Sequence, residues 1–421
     1  MRRRIGVFSE VGHPNAEFGH FCGVSNFLAY WMRYCRGRGI EIDLHAYARR
    51  NRVDQDGPVR MYGWRPHLPV RVYPTIVQDL AHMLPSRRIA RVVRDRRYSS
   101  VNVIAPGTMG LQGMIAARRH SLPVVAMYTT SLAAYSGERT KRALGWLGAG
   151  SRPVVEATER LAWGLMRRFY SGRNGVTAVL APTSRVAGEV RAKLAAPVQV
   201  LGRGVDTELF TPPLRWKGGT PPTGRALILY AGRIHRGEKN LDRFIEVLRE
   251  VPKAGLLVVG DGPHRDSLQR DLGARAEFTG ALSGRALAAA YRRADFFVFP
   301  SKHDTFGQVV MEAMATGLPA VVTDQGGPQE LVEDGVTGFV ADDRSFVARV
   351  RELATNSRLR LRMGRQARLA AEARSWERIF AELMDYCLRT ADRRSGATGI
   401  PRAPSPRSSL VWTGPAPSGI L

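Results

Sequence analysis

Long apolar runs are missing from this 421-residue chain. No stretch reaches the roughly 18–20 consecutive apolar residues that cross a bilayer, so no spanning helix is expected. The apolar run after Arg4 meets Glu10 too soon for a signal peptide and reads as a first strand. Cysteine is scarce. Cys22, Cys35 and Cys387 stand far apart, with no CxxC or histidine spacing. An odd, scattered set excludes a disulfide scaffold and reads as free thiols in a reducing cytoplasm. Lysine is rare too: only six of the 63 basic residues are lysine. Acids number 37, so the formal charge of +26 is nearly all arginine, spread along the chain. Zinc-finger spacing, RNP-type aromatic strands and bZIP heptads are all lacking, so nucleic acid is not an expected partner. An anionic substrate or an anionic membrane face remains, and the expected location is cytoplasmic, peripheral to the inner face of the cell membrane.

What is present suits an enzyme of two α/β domains. The length exceeds one usual domain, and 44% apolar residues suffice for two cores. The chain is organised around 295–340. DFFVFPS reads as a buried parallel strand, SKHD as a loop, and Thr305-Phe306-Gly307 as a turn. VVMEAMA follows with helical character and stops at Gly317 and Pro319. LPAVVTD is a second strand that ends at Gly326-Gly327. In an open α/β sheet this puts a loop and a helix N-terminus at the carboxyl edge, where anionic ligands bind. Asp304 and Glu312 flank the turn.

Other segments share that grammar. A first strand (4–9) leads through a polar loop, which contains His13 and His20 and ends in Cys22-Gly23-Val24-Ser25-Asn26, to an amphipathic helix through about Arg38. ALILYAGRIHRGEKN reads as a strand ending at Gly232, then a turn, with a helix from near Lys239; Arg233 and Lys239 lie either side of the turn. Gly260-Asp261-Gly262-Pro263 is another strand-to-helix turn. Asp206 reads as an Asx-turn residue. The reading makes 1–210 a first domain, 211–224 a Pro/Gly linker and 225–374 a second domain. A helix over 375–390, capped by Ser375, returns to the first domain, and a basic disordered tail fills 391–421. The stretch 50–75 reads as an irregular connection suited to acceptor contacts. Ile76 to Arg94 reads as helical, broken at Pro85, with Arg87, Arg88, Arg91 and Arg94 on a basic face. Residues 132–153, rich in Gly, Ser and Arg, read as a mobile loop. Asp54 with Asp56, and Asp342 with Asp343, are not at strand ends, so no metal is implied.

Asp304, Phe306-Gly307, Glu312-Ala313 and Gly317–Pro319 together resemble the acidic-x7-Glu signature of the family 4 retaining glycosyltransferases. Pro106-Gly107-Thr108-Met109-Gly110 resembles that family's PGxxG turn. The resemblance implies the GT-B fold, two Rossmann-like domains facing across a cleft. It implies metal-independent transfer of a mannose- or glucose-type hexose from a nucleotide diphosphate sugar, the co-substrate, to a lipid or glycan acceptor in cell-envelope synthesis. Arg233 and Lys239 would clamp the diphosphate, with Gly23 and the helix after Gly307 beneath it. Glu312 would hold the ribose, and Asp304 with the backbone at Phe306, Gly307 and Gln308 the sugar hydroxyls. Gly260 would border the base. The chain departs from the family where a histidine commonly follows Tyr128: here Thr129, Thr130 and Ser131 stand. A non-catalytic sugar-binding scaffold and a nucleotide-sugar epimerase are the other readings compatible with the fold.

Overall fold

The structure is a computed structural model, and it describes residues 4–11, 23–73, 76–213 and 226–394. His13, His20, Cys22, most of the expected linker and the tail beyond Arg394 lie outside those residues.

Two parallel-type sheets carry the fold. The first comprises β1 (Ile5–Phe8), β2 (Ile42–Tyr47), β3 (Arg52–Asp56), β4 (Val59–Trp64), β7 (Ser100–Val103), β8 (Val124–Met127), β9 (Val176–Ala181) and β10 (Val198–Val200), in the order β10-β9-β8-β7-β1-β2-β4-β3. β5 (Pro69–Tyr73) and β6 (Ile76–Asp79) form a separate antiparallel hairpin. The second sheet comprises β11 (Leu227–Ala231), β12 (Gly255–Val259), β13 (Ala276–Gly280), β14 (Phe296–Phe299), β15 (Ala320–Thr323) and β16 (Gly338–Ala341), in the order β13-β12-β11-β14-β15-β16. All pairings in both sheets are parallel except β3 on β4.

The sequence explains the layering. β12 (GLLVV) and β14 (FFVF) are buried at every position, as strands covered by helices on both faces must be. Among the parallel strands the order reverses between β1 and β7 in the first sheet and between β11 and β14 in the second. A crevice opens beyond the carboxyl ends of the strands at such a reversal. The chain leaving β11 is Gly232-Arg233, and the chain leaving β14 runs to Asp304.

Four expectations are corrected. The stretch 50–75 is not irregular: it holds β3, β4 and β5. Ile76–Asp79 is a strand and Leu80–Met83 a 3-10 turn, so the basic helix is confined to Arg87–Arg96. Residues 132–153 are not a loop but a helix (Leu132–Ala143), a 3-10 segment and the start of helix Arg152–Phe169. Lys239 lies in a turn, and the helix after it starts at Arg243.

The return helix is present, as Trp376–Arg394. Trp376 stacks on Tyr30 and Phe380, each at 5.2 Å between ring centroids, and meets Phe27 edge-on at 5.8 Å. Phe380, Leu383 and Cys387 are fully buried with Phe27, Trp31 and Cys35 in one cluster.

Candidate active site

The second-sheet crevice gathers three of the expected side chains, Lys239, Asp304 and Arg233, into two ion pairs. Lys239 Nζ donates to both oxygens of Asp304 at 2.7 Å. The ammonium also lies 5.9 Å from the centre of the Phe299 ring. Burial works against both charges, but each partner holds the other ionised. Lys239 is pushed above its ordinary range and the Asp304 carboxyl is held below its own. Arg233 pairs with Glu238, a fully buried acid that the sequence reading passed over. Burial would raise the Glu238 carboxyl, yet Arg233, His235 and Arg139 together hold it low. The local fold explains why Glu238 reaches Arg233: the chain from Ile234 turns tightly, with Lys239 N–H bonded to the His235 carbonyl at 3.0 Å.

Gly307 is the entry to helix Gln308–Ala315. Its φ of 89° is left-handed, and a Cβ there would come 2.9 Å from Pro328 Cγ, so only glycine fits without strain. The first N–H groups of that helix are thereby aimed out of the sheet edge. Glu312, about one turn along, is 5% exposed and accepts from the Tyr291 hydroxyl at 3.0 Å. Burial pushes its carboxyl up to about 7. Phe306 is buried in the second core. Gly260 has a packing reason of its own. With φ at 143°, a Cβ would lie 1.9 Å from the Gly232 carbonyl oxygen, so Gly260 lets the two turns at the crevice abut. Gly23 opens helix Gly23–Arg38 in the first domain and is exposed.

The first domain closes onto this site. Thr305 Oγ1 donates to the Thr129 carbonyl at 2.9 Å, and Gln308 Nε2 to the Gly204 carbonyl at 2.9 Å. Arg139, on helix Leu132–Ala143, reaches Glu238 at 3.1 Å, and Tyr135 one turn earlier meets His303 ring to ring. Glu330 takes the N–H of Ser184 at 2.8 Å, capping helix Ser184–Lys193 from the other domain. Thr129 therefore sits at the cleft where the family pattern has histidine, but it offers its backbone carbonyl to the opposite domain. Asp206 is the expected Asx turn, accepting from Glu208 and Leu209 N–H groups at 3.2 and 2.9 Å.

A cavity of about 660 Å3 extends behind Glu312. Tyr30 and Arg33 line it on one side, Ser283, Gly284 and Arg285 on the other, with Asp206 at the back. The sequence reading did not find Ser283 or Arg285. A second acid, after Glu238, escaped it as well. Glu10 leaves β1 at the reversal of the first sheet, is 4% exposed, and accepts from Gly110 N–H at 2.9 Å. Its other oxygen has no partner among the described residues, and burial pushes the carboxyl up to about 7.

Two open α/β sheets with paired crevices and a cation-lined, acid-flanked turn define the GT-B class of nucleotide-sugar transferase. The fold of sucrose-phosphate synthase from Thermosynechococcus elongatus matches with a TM-score of 0.72 at 18% identity, covering 93% of this chain and 100% of that one. The description "Glycosyl transferases group 1" matches residues 215–370, and "Glycosyltransferase Family 4" matches residues 21–209. The chain is similar to a GDP-mannose-dependent alpha-mannosyltransferase of Mycolicibacterium smegmatis, 34% identical over 93% of this chain and 99% of the relative. A protein of the same description from Mycobacterium tuberculosis is 30% identical, over 93% and 98%. The chain belongs to the group 1, family 4 glycosyltransferases. It is a hexosyltransferase that draws its sugar from a nucleotide donor. Among the described residues no helix is long and apolar enough to cross a membrane.

Proposed function

We propose that this enzyme transfers mannose from GDP-mannose, with retention of configuration, to a lipid-linked or glycan acceptor of the cell envelope. The observation that carries the reading is the Arg233–Lys239–Asp304 arrangement at the reversal of the second sheet, in a chain similar over 93% of its length to two GDP-mannose-dependent transferases.

In this reading the guanosine occupies the 660 Å3 cavity, with its ribose hydroxyls on Glu312 and its base between Ser283–Arg285 and Tyr30. The diphosphate lies on Arg233, Lys239 and the N-terminus of helix Gln308–Ala315, with Gly23 on the opposite wall. Asp304 and the backbone at Phe306–Gln308 take the mannose hydroxyls. The acceptor oxygen forms its bond to the sugar C1 as the bond from C1 to the phosphate oxygen breaks. The acceptor proton passes to a donor phosphate oxygen on the same face. The protein's part is to stabilise the negative charge growing on the leaving diphosphate, and two cations held against carboxylates are preorganised for it. The acceptor enters over the first sheet, where Glu10 offers an oxygen that has no partner among the described residues.

The experiment compares GDP-mannose with UDP-glucose and other nucleotide sugars, using envelope lipid extract as acceptor and reading the anomeric proton of the product. An α-mannoside formed from GDP-mannose alone is the expected result. Transfer from a uridine donor in preference, or release of free epimerised sugar, refutes the proposal.

A further inference from the structure

A second cluster of chemically capable side chains stands at the base of the β5–β6 hairpin and shares no residue with the donor crevice. His67 precedes β5, Asp79 ends β6, and His82 lies in the 3-10 turn Leu80–Met83. One ligand atom from each lies within 4.8 Å of the other two. The Asp79 side chain is fully buried and His82 is nearly so, whereas His67 is 67% exposed. The group therefore has one side open to solvent.

The carboxylate is held rigidly. Asp79 Oδ1 accepts from the N–H groups of Leu68 at 2.8 Å and Ala81 at 3.1 Å, and Oδ2 accepts from His67 N–H at 3.0 Å. Those bonds fill Oδ1 and leave Oδ2 with capacity for one more partner. Two imidazole nitrogens face that oxygen, His67 Nδ1 at 3.6 Å and His82 Nδ1 at 3.5 Å. Both separations are too long for a good hydrogen bond. They are close to the separation of two ligand atoms on one tetrahedral zinc, about 3.4 Å when each is about 2.1 Å from the metal. His82 Nδ1 has one competing contact, the Tyr47 hydroxyl at 3.0 Å. Thr108 Oγ1 lies 2.8 Å from the same hydroxyl and can take its proton instead. Nδ1 can thus turn its lone pair to a cation while Tyr47 keeps a partner.

We propose that His67 Nδ1, Asp79 Oδ2 and His82 Nδ1 form a binding site for a zinc-class transition-metal cation, with water completing the shell on the exposed His67 side. Two nitrogens and one oxygen favour such an ion over magnesium or calcium, which take oxygen ligands. The site is structural. It ties the entry of β5 to the turn after β6, and so fixes the segment that presents Leu80, Met83 and Leu84 to solvent.

The test uses the full chain, stripped with a chelator and titrated calorimetrically with Zn2+, with Mg2+ as the control. Saturable binding of one Zn2+ is expected, with an X-ray absorption shell of nitrogen and oxygen only. His67→Ala, at an exposed position that leaves the fold intact, should weaken the affinity at least tenfold, as losses around metal sites do. His82→Ala should do the same. Failure of the parent to bind Zn2+ overturns the proposal. So does undiminished affinity in His67→Ala, or sulfur in the shell.

Discussion

At the scale of single residues, the donor site works because charges that would be costly alone are buried in pairs. Lys239→Ala removes the ammonium from a diphosphate subsite and leaves Asp304 buried without its counter-ion. Turnover should fall by ~10²-fold or more, about 3 kcal/mol, the cost of losing one oxyanion donor. Arg233→Ala should do likewise, measured as initial rates at saturating donor. Glu10 makes a different prediction. Its carboxyl titrates at about 7 in the folded chain against an ordinary 4.5. The folded state thus holds the proton more tightly than the unfolded one. Stability from this group is complete below about 4.5 and is lost as the pH rises through about 7. Chemical denaturation across that window should lose on the order of 3 kcal/mol less stability in Glu10→Gln than in the parent. Arg233, Lys239 and Asp304 stand out in the sequence because the turns that hold them follow strands with strong apolar runs, and Glu312 because its helix follows one of those turns; the roles expected of them come from the family resemblance. Glu238 was not, because the residue that makes it matter, Arg139, lies in the other domain.

At the scale of elements, the misread segments share a physical cause. β3 is an edge strand, paired on one side only, and its RVDQD sequence is mostly exposed. Such a strand needs no apolar alternation, so the pattern that reveals strands is missing. Helix Leu132–Ala143 contains Gly137, which suggested a loop. A Cβ there would come 2.1 Å from Glu159, so the glycine instead lets two helices approach closely. The basic helix Arg87–Arg96 was legible, though not what precedes it: Leu80, Met83 and Leu84 are 52%, 59% and 72% exposed beside Arg87, Arg88, Arg91 and Arg94. Apolar side chains at the head of a basic helix suit insertion among anionic lipid headgroups. Co-sedimentation should show binding to vesicles containing phosphatidylserine and little to neutral ones. Changing Arg87, Arg88 and Arg91 together to Ala should weaken it by on the order of 3 kcal/mol, at about 1 kcal/mol per arginine. Equal binding to neutral vesicles would contradict the assignment.

At the scale of the whole molecule, the two halves are joined by side chains that are not part of the chemistry. The aromatic stack of Trp376 with Tyr30, Phe27 and Phe380 fastens the return helix, and Glu330 caps a helix of the other domain. Trp376→Ala removes a buried anchor and should cost about 3–5 kcal/mol in global stability. It should also uncouple the two sheets, so that a single denaturation transition separates into two when followed by probes in each half. A two-domain α/β architecture was readable from length and from the recurrence of strand, glycine turn and helix. The closeness of the cleft was not, because its contacts join residues far apart in the chain, 99 positions for Arg139 with Glu238 and 146 for Ser184 with Glu330.

The cluster that packs Ile5, Phe27, Trp31 and Leu44 is completed by Trp376, Phe380, Leu383 and Cys387. On the ribosome this makes the earliest-made core wait for the latest-made helix. At about 5–20 residues per second, the interval between Leu44 and Trp376 is roughly 20–70 s. For that time the part of helix Gly23–Arg38 that meets the return helix lacks that cover. The nascent protein should therefore engage holdase chaperones through its N-terminal half, and a ribosome stalled before residue 376 should display a first domain that proteases cut readily at that helix.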